Sequence, residues 1–368
     1  MIKIALISGD SSTTGVPSHV ATLAKGLDKK KFEVLVICPP GPLVATLKKL
    51  KIPCKEIKMR GVFDRTGNHE IRRELINFSP DIAHFHGMRA GWLGRLAARK
   101  LKKVRKIYSE HQWVEELNLS NPAYQEIQLQ ALKFLDRWTD KTIAVSKPVS
   151  DFLSRRGFDK KKIIIVPNGI DDEFFKTKPI EKPDCLPQII GTVASLNEVK
   201  NYRNIILAMA KIKQTNNDLN FKYQIIGEGP QRKNLENLVE RKKLGETVHF
   251  LGRVPSTAER MRHFGVYLNA SKSETFGLAV VEAMAMGLPV VVSKIPALEY
   301  VVADAGLYLN PKDTDDIGRK IVEILINKDL REKLSAKGKQ RARGEFSSEK
   351  MVKRISEIYI ELIKKSAR

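Results

Sequence analysis

The sequence predicts an α/β protein of two doubly wound domains, each a parallel sheet with helices on both faces. Three observations carry that prediction. Short β-branched runs alternate with longer amphipathic stretches along the chain, the pattern of strands joined by crossover helices. The pattern occurs twice, with a proline-rich segment of mixed charge between the halves. Finally, 368 residues with 42% hydrophobic and 29% charged side chains suffice for two globular cores of ordinary size.

In the first half, residues 2–7 read as a buried strand, and Val20, Leu23, Ala24 and Leu27 then recur at helical spacing. Residues 32–38 form the next strand, closed by Pro39-Pro40-Gly41. Residues 82–85, 106–109, 142–145 and 163–166 continue the series. The segment 171–187, with Pro179, Pro183 and Pro187 and with Pro167 just before it, has the composition of a linker. Residues 189–193, 223–226, 248–250, 266–269 and 289–292 are the strands of the second half, with helices such as 231–243 between them. The boundaries are thus a first domain over 1–168, a linker over 169–186, a second domain over 187–345 and a closing helix within 346–368. Doubly wound sheets bind ligands at the carboxyl ends of their strands, so a cleft between the two domains is the expected active site.

Composition excludes several classes. Cys38, Cys54 and Cys185 are widely spaced and include no C-x-x-C pair, so neither a disulfide framework nor a thiolate metal site is expected, and a reducing cytoplasm fits best. No apolar run reaches the roughly 18–20 residues of a membrane span. Residues 278–292 come nearest and are broken by Glu282 and Gly287-Leu288-Pro289. The apolar N-terminal run is short and lacks a small-residue cleavage site, which makes it a strand rather than a signal peptide. A formal charge of +23 points to nucleic acid, an anionic membrane surface or phosphorylated ligands. The chain shows no zinc finger, aromatic RNA platform or basic recognition helix, so no nucleic-acid partner is expected.

The most informative segment is Glu274 to Glu282, E-T-F-G-L-A-V-V-E. Phe276-Gly277-Leu278 leads into a helical run over 279–286 that Gly287-Leu288-Pro289 stops. A helix start offers unpaired N–H groups and the positive end of the helix dipole, and a glycine there lets an anion approach closely. Glu282 would lie about one turn inside, within reach of a hydroxyl on the same ligand. An anion site flanked by carboxylates suits a phosphorylated sugar or nucleoside; a satisfied helix with a solvated Glu at each end is the plainer alternative.

Three loops accompany it. Gly9 to Pro17 is polar and feeds a helix start, without the G-x-G-x-x-G dinucleotide pattern. Val166-Pro167-Asn168-Gly169-Ile170-Asp171 is a strand-to-turn junction, and Ile226-Gly227-Glu228-Gly229-Pro230 ends a strand in a glycine turn.

In order and spacing these pieces closely resemble glycosyltransferase family 4, whose members have the GT-B fold of two Rossmann-like domains. The resemblance covers nearly the whole chain, through T-G-V-P-S-H-V, D-I-A-H-F-H-G, A-V-S-K-P-V, V-P-N-G-I-D, I-G-E-G-P, V-H-F-L-G-R-V and E-T-F-G-L-A-V-V-E-A-M-A-M-G-L-P-V-V-V. It implies a retaining, metal-independent transfer of a sugar from a nucleotide-sugar donor, UDP- or GDP-linked, to a glycan, lipid-linked or small acceptor in cell-envelope or polysaccharide synthesis, with no cofactor. The first domain would bind the acceptor and the second the donor, and the closing helix 349–365 would pack back on the first domain. Residue by residue, it assigns Glu274 to the donor sugar's hydroxyls and Glu282 to the ribose. Phe276, Gly277 and Leu278 would present amides to sugar and diphosphate. Gly15 would approach the phosphates, and Arg253 and Val254 would border the base. Lys200 falls on the diphosphate-binding lysine and His111 on the histidine facing the reacting carbon.

The chain departs from the family twice. Ser195 stands where an arginine is common, five positions before Lys200, leaving its phosphate contact to Arg203, Asn197 or a hydroxyl. Thr14-Gly15 replaces the frequent double glycine.

Other groups are read as structural. Asp313-Thr314-Asp315 precedes a helical run over 317–326, where Asp and Thr are ordinary caps, so its D-x-D pattern is assigned no metal. His84 and His86 alternate with apolar residues and are read as facing opposite sides of a strand, which argues against a shared metal. Arg89, Arg95, Arg99, Lys100, Lys102, Lys103, Arg105 and Lys106, with Trp92, Leu93 and Leu96, read either as a basic face for the inner surface of an anionic membrane or as a sheet-covering helix with a solvated basic side. Two rival functions are a nucleotide-sugar epimerase on the same fold, which would form product without any acceptor, and a basic nucleic-acid-binding protein.

Overall fold

The structure, a computed structural model, describes residues 1–12, 14–112, 122–180, 188–216 and 218–366. Thr13, Pro183, Cys185, Pro187 and the 181–186 part of the expected linker lie outside the described residues. The chain divides into two compact units, Met1–Gly169 with Ser348–Arg368, and Ile170–Ser347.

The first unit is built on seven strands: β1 (Ile2–Ser8), β2 (Phe32–Cys38), β3 (Cys54–Glu56), β4 (Ile82–His86), β5 (Arg105–Glu110), β6 (Lys141–Ala144) and β7 (Ile163–Ile165). Their order is β3-β2-β1-β4-β5-β6-β7, and every pairing is parallel. Ile4 to Ile7 are wholly buried, because helices cover both faces of a parallel sheet and its central strands carry apolar side chains on both. The helix Ser348–Ser366 returns to this unit, where Ile355 and Tyr359 share a core with Ile4, Leu6 and Val20. Gly26 makes that approach possible, since a Cβ there would lie 2.6 Å from Val352.

The second unit carries β8 (Gln188–Val193), β9 (Phe221–Ile226), β10 (Val248–Gly252), β11 (Val266–Asn269), β12 (Val290–Ser293) and β13 (Gly306–Leu309). The order is β10-β9-β8-β11-β12-β13, again all parallel. Residues Asp172–Lys176 are helical, and Ile180 N–H donates to the Arg262 carbonyl at 2.7 Å within this unit. Gly227, at φ +142°, and Gly229 let the loop after β9 lie against the loop after β8. Their Cβ atoms would meet the Ala194 carbonyl at 2.0 Å and the Leu196 carbonyl at 2.5 Å.

Strand order reverses between β1 and β4 in the first unit and between β8 and β11 in the second. At such switch points neighbouring crossovers leave on opposite faces and open a crevice at the carboxyl ends. Gly9 and His111 follow, and His86 ends, the strands around the first crevice, and Lys200 and Glu274 follow those at the second.

Three sequence readings change. The short edge strands β3 and β13 were not anticipated. His84 and His86 do not face opposite sides: residues two apart on a strand share a face, and their rings lie 4.0 Å apart. The basic stretch is not one solvated face. Arg95 is fully buried in the helix Gly87–Ala98, its Nε donating to the Gly91 carbonyl at 2.6 Å and Nη1 to Thr139 Oγ1 at 3.1 Å, with the guanidinium 4.1 Å over the Tyr108 ring. Lys106 is also buried and donates to the Leu101 and Val104 carbonyls. Asp313 does act as a cap, accepting from the N–H groups of Asp315 and Asp316. Among the described residues, no helix is long and apolar enough to cross a membrane.

Candidate active site

In the second unit the chain leaves β8 through a short 3-10 turn, Glu198–Lys200, capped by Asn197, whose Oδ1 accepts from Lys200 N–H at 3.2 Å. Lys272 N–H donates to the Val199 carbonyl at 2.8 Å, which ties this loop to the one leaving β11. The tie sets Lys200 Nζ 2.6 Å from Glu274 Oε1, with the side chains 19% and 12% exposed. Asn269 Nδ2 at 3.2 Å and Ser271 Oγ at 3.0 Å donate to the same oxygen. Burial by itself raises the Glu274 carboxyl, but the Lys200 ammonium and these donors override it and hold the group below the usual carboxylate range. Glu274 is therefore a fixed, ionised acceptor at neutral pH.

The segment then turns through Gly277, at φ +89°, into the helix Leu278–Met286, whose first amides no side chain caps. Only glycine suits that backbone readily, and a Cβ there would also meet Leu298 at 2.8 Å. Gly287, at φ +85°, ends the helix. Glu282 is half-buried at its fifth position. Burial, reinforced by the negative charges of Asp171 and Glu173, raises its carboxyl from 4.5 to about 7. Near neutrality it can donate a proton to a hydrogen bond or accept one.

The other residues expected to face a donor differ in what they offer. The Phe276 side chain is buried edge-on against Phe346, ring centres 5.4 Å apart, so only its backbone is left for a ligand. Leu278 and Val254 are half-buried, while Arg253 and Ser195 are exposed. Ser195 Oγ accepts from Asn197 Nδ2 at 2.9 Å.

In the first unit Gly15 is exposed and opens the helix Gly15–Gly26, again without a side-chain cap. Beside it stands a residue the sequence reading passed over. The Asp10 carboxylate accepts from Ser12 N–H, Ser12 Oγ and Thr14 Oγ1 at 2.6–2.9 Å. These bonds outweigh its burial and keep its pKa low, so the loop carries its own negative charge. His111 follows β5, half-buried, with Nε2 3.4 Å from His86 Nδ1 and its ring edge-on to His19 at 4.8 Å. Burial, then the neighbouring imidazoles His19 and His84, holds it well below its ordinary pKa, so it is a neutral imidazole. The nearness of His19 and His86 to His111 was also missed. An i, i+2 histidine pair on a strand was the available signal, whereas His19 gave none.

A family model described as Glycosyltransferase Family 4 matches residues 13–174, and one described as Glycosyl transferases group 1 matches residues 173–341. The chain belongs to glycosyltransferase family 4. Relatives of this glycosyltransferase include an uncharacterized glycosyltransferase of Methanocaldococcus jannaschii, 27% identical over 95% of each chain. The alpha-monoglucosyldiacylglycerol synthase of Acholeplasma laidlawii is 25% identical over 96% of this chain and 95% of its own. The phosphatidyl-myo-inositol mannosyltransferase of Mycobacterium leprae is 27% identical over 89% and 88%. Among solved structures, Anabaena HepE with UDP and glucose superposes with a TM-score of 0.83 at 18% identity, covering 97% of this chain and 99% of that one. A sucrose-phosphate synthase from Thermosynechococcus elongatus gives 0.84 at 20% identity over 99% and 100%. These likenesses place the glycosyltransferase in the GT-B fold. Both family matches are to sugar transferases, and the epimerase reading is dropped.

Proposed function

We propose that the enzyme moves a sugar from a UDP- or GDP-linked donor to a glycan or lipid-linked acceptor, with retention of configuration and without a metal or cofactor in the transfer step. The observation that carries the proposal is the Lys200 and Glu274 pair beside the uncapped start of Leu278–Met286. When the bond from the anomeric carbon to the diphosphate oxygen breaks, the leaving group gains negative charge. A cation and helix-end N–H groups stabilise such charge most where it develops. They supply the positive potential that a metal would bring in another sugar transferase. Glu274, kept ionised, accepts from the donor sugar's hydroxyls. Glu282 hydrogen-bonds the ribose, and Arg253 and Val254 border the base. Gly15 and His111 serve from the first unit, the latter as a neutral imidazole toward the reacting carbon.

The UDP and UDP-glucose bound in HepE support a uridine donor. Two relatives named for diacylglycerol and phosphatidylinositol products or acceptors support a glycolipid role in cell-envelope synthesis. The first unit also has a shallow, apolar surface pocket lined by Val62, Phe63, Met88, Trp92, Ile127 and Leu132, among others, a lining suited to an alkyl chain. A peripheral position on the cytoplasmic membrane face fits that acceptor. A panel of nucleotide sugars tests the reading by thermal stabilisation. A cognate donor at 100 times its Kd adds about 2.7 kcal/mol, and the product's anomeric configuration is then read by proton NMR. The absence of stabilisation by any UDP- or GDP-sugar, or an inverted product, refutes it.

A further inference from the structure

Three histidines from separate parts of the sequence converge in the first unit: His19 on the helix Gly15–Gly26, His86 at the end of β4 and His111 just after β5. One ring nitrogen from each lies within 4.8 Å of the other two. A zinc ion holds imidazole nitrogens at about 2.0–2.1 Å, so two tetrahedral ligands have nitrogens about 3.3 Å and ring centres about 5.2 Å apart. Here His86 Nδ1 is 3.4 Å from His111 Nε2. Ring centres are separated by 5.3 Å for His19 and His86, 4.8 Å for His19 and His111, and 5.7 Å for His86 and His111. The ring centres of all three pairs thus lie near the spacing a shared ion imposes, and the His86–His111 nitrogens already match it.

The unpaired nitrogens point the same way. His19 is 2% exposed, yet neither of its ring nitrogens makes a hydrogen bond of sound geometry, although the Asn168 side chain lies close enough to act on the ring. Buried polar atoms left unpaired cost about 1–3 kcal/mol each, and coordinating a lone pair to a cation removes part of that cost. Neutral imidazole is what a metal binds. His84 is not a ligand, because Tyr359 Oη at 2.6 Å and Ser109 Oγ at 2.8 Å occupy its two nitrogens. It stacks against His86 and fixes that ring.

We infer that His19, His86 and His111 bind one divalent transition-metal ion, with zinc the best match, and that its occupancy blocks sugar transfer. A set of three imidazoles selects zinc, cobalt, nickel or copper over magnesium and calcium, and leaves a fourth position open. Half-buried His111 is the side from which the ion enters. The inhibitory part rests on the role proposed for His111, which a bound ion would occupy.

The test uses the full chain, stripped of metal and titrated with Zn²⁺ by calorimetry and with Co²⁺ by visible absorption. One equivalent of zinc should bind, and cobalt should give the intense bands of a tetrahedral nitrogen site. His19→Gln, His86→Gln and His111→Gln should each weaken binding beyond the about 10–100-fold that loss of an outer-shell partner costs, while His249→Gln, at a half-buried imidazole bonded to the Glu246 carbonyl in the second unit, should not. If a buried variant fails to fold, His111→Gln decides, because that residue is only half-buried and belongs to no strand or helix. No stoichiometric binding, or binding undiminished in His111→Gln, overturns the site and leaves the proposed transfer untouched. Zinc bound at one equivalent with transfer unimpaired overturns the inhibition and the role of His111 together, while the site stands.

Discussion

Glu282→Gln should stabilise the unliganded enzyme at alkaline pH and have much less effect at acid pH. The Glu282 carboxyl is raised from 4.5 to about 7 by burial and by Asp171 and Glu173. Between those values the folded chain retains a proton that the unfolded chain has released. Stability therefore falls as pH rises from 4.5 to about 7 and reaches its floor above that. The full gap corresponds to about 3 kcal/mol, and solvent reaching a half-buried carboxylate reduces it to about 1–3 kcal/mol. Glutamine keeps the size and hydrogen-bonding groups but never ionises. Urea unfolding of both forms should give a gain of about 1–3 kcal/mol for the variant at pH 8.5 and most of it gone at pH 5. Donor affinity should move the other way if Glu282 bonds the ribose as proposed. A gain equal at the two pH values, or larger at pH 5, refutes the argument that ionisation of Glu282 opposes folding.

Lys200→Ala should lower kcat/KM about 10²–10³-fold if the ammonium stabilises the leaving diphosphate, with the fold retained by circular dichroism; turnover near that of the unaltered enzyme removes Lys200 from the mechanism. If Glu274 holds the reacting sugar and Glu282 the ribose, as proposed, Glu274→Gln should lower kcat and Glu282→Gln should mainly raise KM; the reverse pattern in steady-state kinetics means the two roles are exchanged. Ser195→Arg should tighten nucleoside diphosphate binding by calorimetry, because Ser195 is exposed and leaves room; unchanged or weaker binding shows that another group fills the phosphate contact. Arg95→Ala should destabilise the first unit by about 2–4 kcal/mol through lost charged hydrogen bonds and an unfilled volume, and should leave co-flotation with anionic vesicles unaltered; loss of flotation with stability intact contradicts its buried place.

Much of the fold was legible because its signals are local. Alternation of strand and helix periods depends on residues within a few positions. So do the stop at Gly287, the left-handed turn at Gly277 and the cap at Asp313. The edge strands β3 and β13 escaped notice because each has only three or four residues and one neighbour. Too little of either is buried to impress a pattern on the sequence.

The sequence alone also carried the local form of the Glu274–Glu282 segment, since both carboxylates and the glycine turn lie on one continuous stretch. What it left open are meetings between distant residues. Lys200 and Glu274 are 74 positions apart and touch because β8 and β11 are neighbours at the switch point. Arg95 looks like a surface cation in sequence but is enclosed because Tyr108 and Thr139 come from other elements. His19, His84, His86 and His111 meet because β1, β4 and β5 lie side by side with their carboxyl ends aligned. Strand order is decided by how whole layers bury their apolar faces. Side chains brought together by that order acquire their pKa values, partners and unpaired atoms only once the sheet has closed.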